Sequence, residues 1–283
     1  MLTARPAHTA DRWRLNQLLG SEAKVHTHLD WRPPEAWLGK KPFHLVFAGK
    51  VAVAALAAPP DPPDTAWLRL AAVVEAFETD EMLDELWGIT KDVLIELNAA
   101  TVACMLMGNW LTPHLQRWQF AQVNHVVTLC RTLGSTPHAK RPTLPHSVEI
   151  RPARSSDLRA MFAVDAAAFE SPWQYSVAAL REALSHAATA TVAEAGGRLI
   201  GYQISTAGSD NGHLARLAVL PGWQGRGIGR ALLSGLVEYF DSTGAPMISV
   251  NTQHDNTASL KLYQLFGFEN TGEHFPVWEF GLG

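Results

Sequence analysis

Three glycines in five positions, Gly225, Gly227 and Gly229, could do chemistry through their backbone alone. They follow a short apolar strand, residues 214–220, which Pro221-Gly222 breaks, and they lead into a helix marked by Ile228, Leu232, Leu233, Leu236 and Val237 at helical spacing. N–H groups at a helix start have no intrahelical partner, and the helix dipole favours negative charge there. Missing side chains let a phosphate come close to the backbone, and Arg226 and Arg230 add positive charge beside it. The turn therefore reads as a pyrophosphate cradle. Spacing narrows the ligand. A dinucleotide fingerprint would need glycine where Arg230 stands, and a Walker loop would need a lysine that is absent here. What remains is Gln224-x-x-Gly227-x-Gly229 behind Leu217-Ala218-Val219. A turn that only caps a helix would need one glycine rather than three.

A second pattern lies downstream. Asn256-Thr257-Ala258-Ser259-Leu260-Lys261-Leu262-Tyr263 leads to Phe266-Gly267-Phe268, with Asn256 placed to cap a helix and Gly267 to end it. The two patterns together resemble the GNAT superfamily of N-acetyltransferases, over most of residues 148–280. The resemblance implies acetyl-CoA as acyl-donor co-substrate. Its diphosphate would rest on Gln224, Gly225, Arg226, Gly227, Ile228, Gly229 and Arg230. Its pantetheine arm would bond Leu217, Ala218 and Val219, in a V between the central strand and the next parallel one, residues 246–252. Asn256 and Ser259 would face the cofactor, and Tyr263 would supply a proton or hydrogen bond to the departing thiolate. A buried tyrosine that merely packs the helix is the plainer alternative.

The elements that position these groups can be read in order. Residues 148–151 open the domain as a strand, and Ser156 or Asp157 can cap the helix that follows. The turn Phe169-Glu170-Ser171-Pro172-Trp173 resembles the substrate-side loop of ribosomal-protein-alanine N-acetyltransferases; ordinary packing by Trp173 explains it equally well. Another helix follows over residues 176–186. Residues 189–195 and 198–206 form a hairpin around Gly196-Gly197. The acceptor-side candidates are Glu170, Trp173 and Asn251. In the ribosomal-alanine enzymes a glutamate stands where this chain has Asn251, which cannot take a proton. His213 is the substitute base, because an imidazole titrates near neutrality, and His254 is second.

Residues 134–147 carry three prolines and no periodicity, and read as a linker. The segments on either side resemble each other. Arg5-Pro6-Ala7 with Asp11 recurs 146 residues later as Arg151-Pro152-Ala153 with Asp157. The strand after Gly49 recurs after Gly197, Arg69-Leu70-Ala71 recurs as Arg216-Leu217-Ala218, and Trp118-Gln119-Phe120 stands where Phe266-Gly267-Phe268 does. Two copies of one domain is the simplest account. In the first copy the glycine turn is replaced by residues 77–82, without glycine and with Glu78, Asp80 and Glu81 near a helix start that Thr79 or Asp80 can cap. A pyrophosphate would meet repulsion there. The expected architecture is α/β (α+β): two tandem GNAT-like domains, each a mixed, mostly antiparallel sheet flanked by helices with a V-shaped splay between its central parallel strands. Residues 1–133 would be a degenerate copy, 134–147 a linker and 148–283 the catalytic domain. The tandem plan is similar to that of mycothiol synthase.

Composition bounds the rest. With 47% hydrophobic and 18% charged residues the chain is globular, and a net charge of −4 gives no basis for binding nucleic acid or an anionic membrane. Cys104 and Cys130 are the only cysteines, so a reducing cytoplasm is expected, and the N-terminus lacks the apolar core of a signal peptide. His26, His28 and Asp30 are too few for a metal, and none is expected. The expected partner is a small-molecule or peptide amine acceptor, the expected state a monomer with pseudo-dimeric tandem domains. The function this implies is acetyl transfer from acetyl-CoA to a primary amine by direct attack. The other reading is a non-catalytic acyl-CoA-binding sensor or partner-binding module.

Overall fold

The computed structural model describes residues 2–77, 80–134, 142–208 and 211–283. Two compact units result, one of residues 1–125 and 275–283, the other of residues 126–274. Among the described residues no helix is long and apolar enough to cross a membrane.

In the first unit β1 (Leu2–Pro6), β3 (Phe43–Ala48), β4 (Val51–Ala57), β6 (Leu70–Val74) and β2 (Ala23–Thr27) form an antiparallel sheet in that order. A second group is β5 (Thr65–Trp67), β7 (Thr101–Met105) and the end of β14 (Glu269–Gly281). Helices α1 (Arg12–Leu19), α2 (Asp80–Glu96) and α3 (Thr112–Arg117) complete the unit. α2 buries Leu83, Leu86 and Leu94, the turn-spaced apolar stripe that makes it a core helix. Asp80 opens this helix and its carboxylate pairs with Arg117 at 2.7 Å; Glu78 and Thr79 lie outside the described residues.

The second unit has the sheet order β8 (Ala121–Thr132), β13 (Met247–Gln253), β12 (Gly212–Val219), β11 (Arg198–Ala207), β10 (Thr189–Ala195), β9 (Val148–Pro152). Its helices are α4 (Leu158–Ala168), α5 (Val177–Ser185), α6 (Ile228–Thr243) and α7 (Thr257–Leu265). Gly196 and Gly197 both have positive φ, the turn geometry that matches the twist of the β10–β11 hairpin. Ser176 caps α5 by accepting from the Ala179 N–H. Gly244, in the left-handed region, ends α6. α6 buries Ile228, Leu232, Leu233, Leu236, Val237 and Phe240, and Phe240 packs so closely on the start of β12 that a Cβ at Gly212 would lie 2.8 Å from its ring. Asp157 does not cap α4 through its side chain; it accepts from the Arg154 N–H and seals the single turn before the helix.

The repeat is built into the hydrogen bonds. Arg5 forks onto Asp11 at 2.8 and 2.6 Å and Arg151 onto Asp157 at 2.7 and 3.0 Å, each aspartate also accepting from the backbone N–H three residues before it. The β3–β4 hairpin shifts register at Val46/Phe47 and the β10–β11 hairpin at Ala193/Glu194, which leaves Val53 and Ile200 as matching bulged residues. Thr65–Trp67 pair in parallel with Thr101–Ala103, and Gly212–Leu214 with Ile248–Val250, in the same register. Gln119 and Gly267 both have positive φ, and the following phenylalanines, Phe120 and Phe268, donate to Leu115 O and Tyr263 O. Leu115 therefore occupies the first unit's equivalent of Tyr263.

The units divide at residues 125/126 and 274/275 rather than at residues 134–147, where a linker was expected. The last strand of each sequence half pairs in the other's sheet: residues 126–132 of β8 pair with β13, and residues 277–281 of β14 pair with β7. A terminal strand satisfies its backbone groups wherever an edge is free, so chain order does not decide its home. Residues 148–283 expressed alone lack β8 and leave the β13 edge open. That fragment should give no monomeric, cooperatively melting species, whereas residues 126–274 should; size-exclusion chromatography with thermal circular dichroism distinguishes the two.

Candidate active site

The site of the second unit begins where two strands part. β12 pairs with β13 only from Gly212 to Leu214. At the next residue the β11–β12 ladder shifts register, leaving Ala215 as an extra residue on β12. Such a bulge bends its strand. From there to Val219 the strand keeps β11 on one side and no strand on the other. The Leu220 N–H donates to Ile200 O, so alternation turns the N–H and C=O groups of Leu217 and Val219 to the open edge. The bulge also changes which residues face which helix. Leu214 packs against α6 with Phe240 and Leu233, whereas Arg216 faces Asp165 on α4.

Past the open edge the chain makes one tight turn, Pro221–Trp223, and Gln224 Nε2 donates to Val219 O at 3.0 Å, fastening the loop to the strand end. Gly225 and Gly227 have φ of 73° and 83°, values that disfavour any side chain. A Cβ at Gly227 would also meet Pro142 at 3.4 Å, and one at Gly229 would meet Leu262 of α7 at 3.4 Å. The 16-residue helix α6 starts immediately after, with its first N–H groups ahead of any intrahelical carbonyl. Arg226 is exposed and lies over the Trp223 ring at 5.0 Å; Arg230 is half-buried. An open strand edge followed by a bare, positively charged helix start suits an extended chain that ends in a diphosphate.

α7 supplies the third wall. Asn256 caps it, its Oδ1 accepting from the Ser259 N–H at 3.1 Å. Tyr263 is buried, hydrogen-bonds the Ser259 side chain, packs on Phe268 and feels the charge of Arg216. Burial lifts its phenol to about 12, so it stays protonated at any physiological pH. His213 is half-buried at the base of the V. Its Nδ1 lies 2.9 Å from Ser249 Oγ, and burial lowers its pKa, so the imidazole is neutral near pH 7. Asn251 and His254 are exposed, at a ladder position of β13 and just beyond that strand. Glu170 is exposed and Trp173 half-buried in the loop between α4 and α5.

One constellation escaped the motif reading. Asp165 is fully buried, and Arg216 sits on it through Nε and Nη2, both at 2.8 Å. The same guanidinium donates to Trp173 O at 2.6 Å and stacks on the rings of Phe169 (3.5 Å) and Tyr175 (4.0 Å). Tyr202 OH donates to Asp165 Oδ2, the oxygen that also accepts from Arg216 Nε. Burial alone would lower the arginine's pKa, and the attraction of Asp165 outweighs it, so the guanidinium stays charged. The available signal was a charged residue inside an apolar strand, repeated as Arg69 in the first half.

Residues 158–268 match the model of the acetyltransferase (GNAT) family. That segment of the second half is similar to the acetyltransferases of this family. A segment of 94 residues is 31% identical to the spore coat polysaccharide biosynthesis protein SpsD of Bacillus subtilis, covering 32% of this chain and 32% of that protein, so the match spans about a third of the relative's length. Two solved structures match over the whole chain in fold. A GCN5-related N-acetyltransferase from Sphaerobacter thermophilus superposes with a TM-score of 0.62 at 17% identity, over 99% of this chain and 96% of that one. A tandem GNAT protein from the clavulanic acid biosynthesis pathway gives 0.64 at 14%, over 100% and 99%. The tandem GNAT plan therefore accounts for both halves of the fold.

In the first unit the histidines raised as metal candidates are buried among other partners. His26 Nε2 lies 3.2 Å from Leu68 O and 3.6 Å from Cys104 Sγ, and His28 stacks on Trp67 at 4.4 Å. Asp30 pairs with Arg69 at 2.5 Å. Burial drives the His26 pKa down from 6.5 to about 4 and that of His28 in the same direction. The folded state thus binds fewer protons than the unfolded one below pH 6.5. Stability is full above that value and is lost as pH falls towards about 4, with a limiting slope of ~1.4 kcal/mol per pH unit per histidine. Denaturant unfolding at pH 6.5 and 5, above most carboxylate titration, should show this loss, and His26→Gln should make it smaller.

Proposed function

We propose that the second unit transfers the acetyl group of acetyl-CoA to a primary amine, on a small molecule or a peptide N-terminus, and that the first unit holds no acyl-CoA. The observation that carries the reading is the open edge of Leu217 and Val219, followed in the chain by the glycine turn at the start of α6, with Tyr263 in the buried cluster against which Leu217 packs. A pantetheine arm is an extended chain with amide groups, so it can take hydrogen bonds that a neighbouring strand would otherwise take.

The chemistry asked of the residues is modest. The amine nitrogen attacks the thioester carbonyl carbon while an N–H on the open edge near Val219 polarises the carbonyl oxygen. His213, neutral at working pH, accepts the proton that the attacking amine gives up. The C–S bond then breaks and sulfur carries the electron pair away. Tyr263 is the candidate partner for that sulfur. A phenol held at about 12 would give its proton completely to a thiolate of pKa ~8.5 only at a cost of ~5 kcal/mol. Its role is therefore a hydrogen bond to the thiolate, strengthened by burial, while His213 passes the proton it took from the amine to solvent and the thiolate takes one proton from solvent as it leaves. Glu170, exposed on the acceptor-side loop, offers a carboxylate to a cationic acceptor, and Trp173 and Asn251 are further candidates for acceptor contacts. The curated relative's name, in polysaccharide biosynthesis, supports keeping a small-molecule amine among the acceptors.

Three features argue against a second site in the first unit. The edge of β6 equivalent to the open one is paired with β2, Thr27 to Ala23 against Leu70 to Val74. Leu115 stands for Tyr263, and Asp80 and Glu81 begin α2 where the second unit has its glycine turn.

Calorimetry with acetyl-CoA should give one site per chain, and mass spectrometry of an amine panel incubated with protein and acetyl-CoA should find an acetylated product. No binding sinks the reading, and binding without any turnover leaves the sensor module. Tyr263→Phe should cut kcat ~10–100-fold, the worth of one hydrogen bond to a charged group, with the acetyl-CoA Kd within about twofold. Equal loss in both would remove the tyrosine from the chemistry.

A further inference from the structure

Arg216 belongs to no GNAT motif quoted above, yet more of the acceptor side is built on it than on any of the residues those motifs supply. Its guanidinium has two faces and an edge, and all three are used. The edge forks onto Asp165 and reaches Trp173 O; the faces carry Phe169 and Tyr175. Asp165 is saturated in turn, since its oxygens accept from Arg216 Nε and Nη2, the Tyr175 N–H (2.8 Å) and Tyr202 OH. Gln174 closes the loop on itself through Phe169 O and Ala166 O. The conformation of residues 169–175 is thus organised around one side chain of β12. That side chain is adjacent in sequence to Leu217, whose backbone faces the open edge, and its charge reaches Tyr263.

Stability alone is a poor reason for this pair. Burying two charges costs several kcal/mol per ion before their attraction returns it, and apolar replacements of matching size are often as stable or more so. What an apolar cluster cannot do is fix direction: the fork sets the carboxylate, the stacked rings and the Trp173 carbonyl in one arrangement. We propose that Arg216 is a positioning residue for acetyl transfer: through Asp165 it holds the acceptor-side loop, residues 169–175, in register with the strand that takes the thioester, so that the amine arrives in line with the carbonyl. The inference rests on the acyltransferase reading and extends it to acceptor geometry. Arg216 acts through the loop and does not touch the reacting atoms.

The test uses full-length protein, acetyl-CoA and three amine probes: spermidine, glucosamine and a peptide with a free N-terminal alanine. Arg216→Lys keeps the charge and loses the fork. It should lower kcat/KM for the acetylated probe at least tenfold and leave the acetyl-CoA Kd within twofold. Arg216→Met/Asp165→Leu/Tyr202→Phe removes every buried polar group of the cluster's core together. It should recover the wild-type melting temperature without recovering kcat/KM. A triple variant with wild-type kcat/KM overturns the proposal, as does a parallel loss of acetyl-CoA affinity in Arg216→Lys. Hydrogen exchange reads the loop without turnover: amides of residues 169–176 should lose protection in both variants while those of α6 keep theirs, and a loop that stays protected overturns the positioning role. Wild-type protein that binds no acetyl-CoA would instead sink the acyltransferase reading, which separates the two failures.

Discussion

The site depends on two hydrogen-bonded strands that stop pairing part-way along. β12 runs beside β13 for three residues, gains one extra residue at Ala215 and then presents a bare edge. An unpaired strand edge is costly to leave dry and dangerous to leave exposed, because any extended chain can dock on it. Here the edge is short, and the chain runs from it through one tight turn into the glycines at the start of α6, so that the N–H groups of Leu217 and Val219 and those of the helix start lie along one stretch of chain. The second strand of the V only has to stay away, and α7, capped by Asn256, fills the wall that this leaves.

Duplication shows how little separates an open edge from a closed one. The first unit repeats the parting with the same register, the same bulge in the neighbouring hairpin and the same Arg–Asp fork at its entry. It then folds the five residues of β2 onto the edge that is open in the second unit. Backbone groups that a ligand could satisfy are satisfied by the chain itself. The two units differ less in their framework than in which extended segment completes it.

The buried cations follow the same duplication with different partners. Arg69 and Arg216 occupy matching positions on the central strands, and each carries a buried aspartate and an aromatic face: Asp30 and Trp37 in one unit, Asp165 with Phe169 and Tyr175 in the other. A guanidinium on a bulged central strand can reach a loop on one face of its sheet. In the second unit that loop is residues 169–175. Charge buried at this cost is retained where direction matters more than energy.

The local features were legible in the amino-acid sequence because their causes are local. Gly196-Gly197 made a hairpin, Asn256 made a cap, Gly225 and Gly227 took up a conformation disfavoured for other residues, and the recurrence of Arg5 with Asp11 as Arg151 with Asp157 marked a repeat down to its hydrogen bonds. The GNAT resemblance rested on residues that act through backbone or through one side chain at fixed spacing. Tertiary structure alone decided which strand goes where. β8 and the end of β14 settle in the sheet of the opposite half, β2 lies on β6, and Asp165 meets Arg216 across 51 residues of chain. None of these leaves a local trace, since strands of similar length and alternation satisfy an edge equally well. The choice among them is made by long-range packing, which periodicity does not encode.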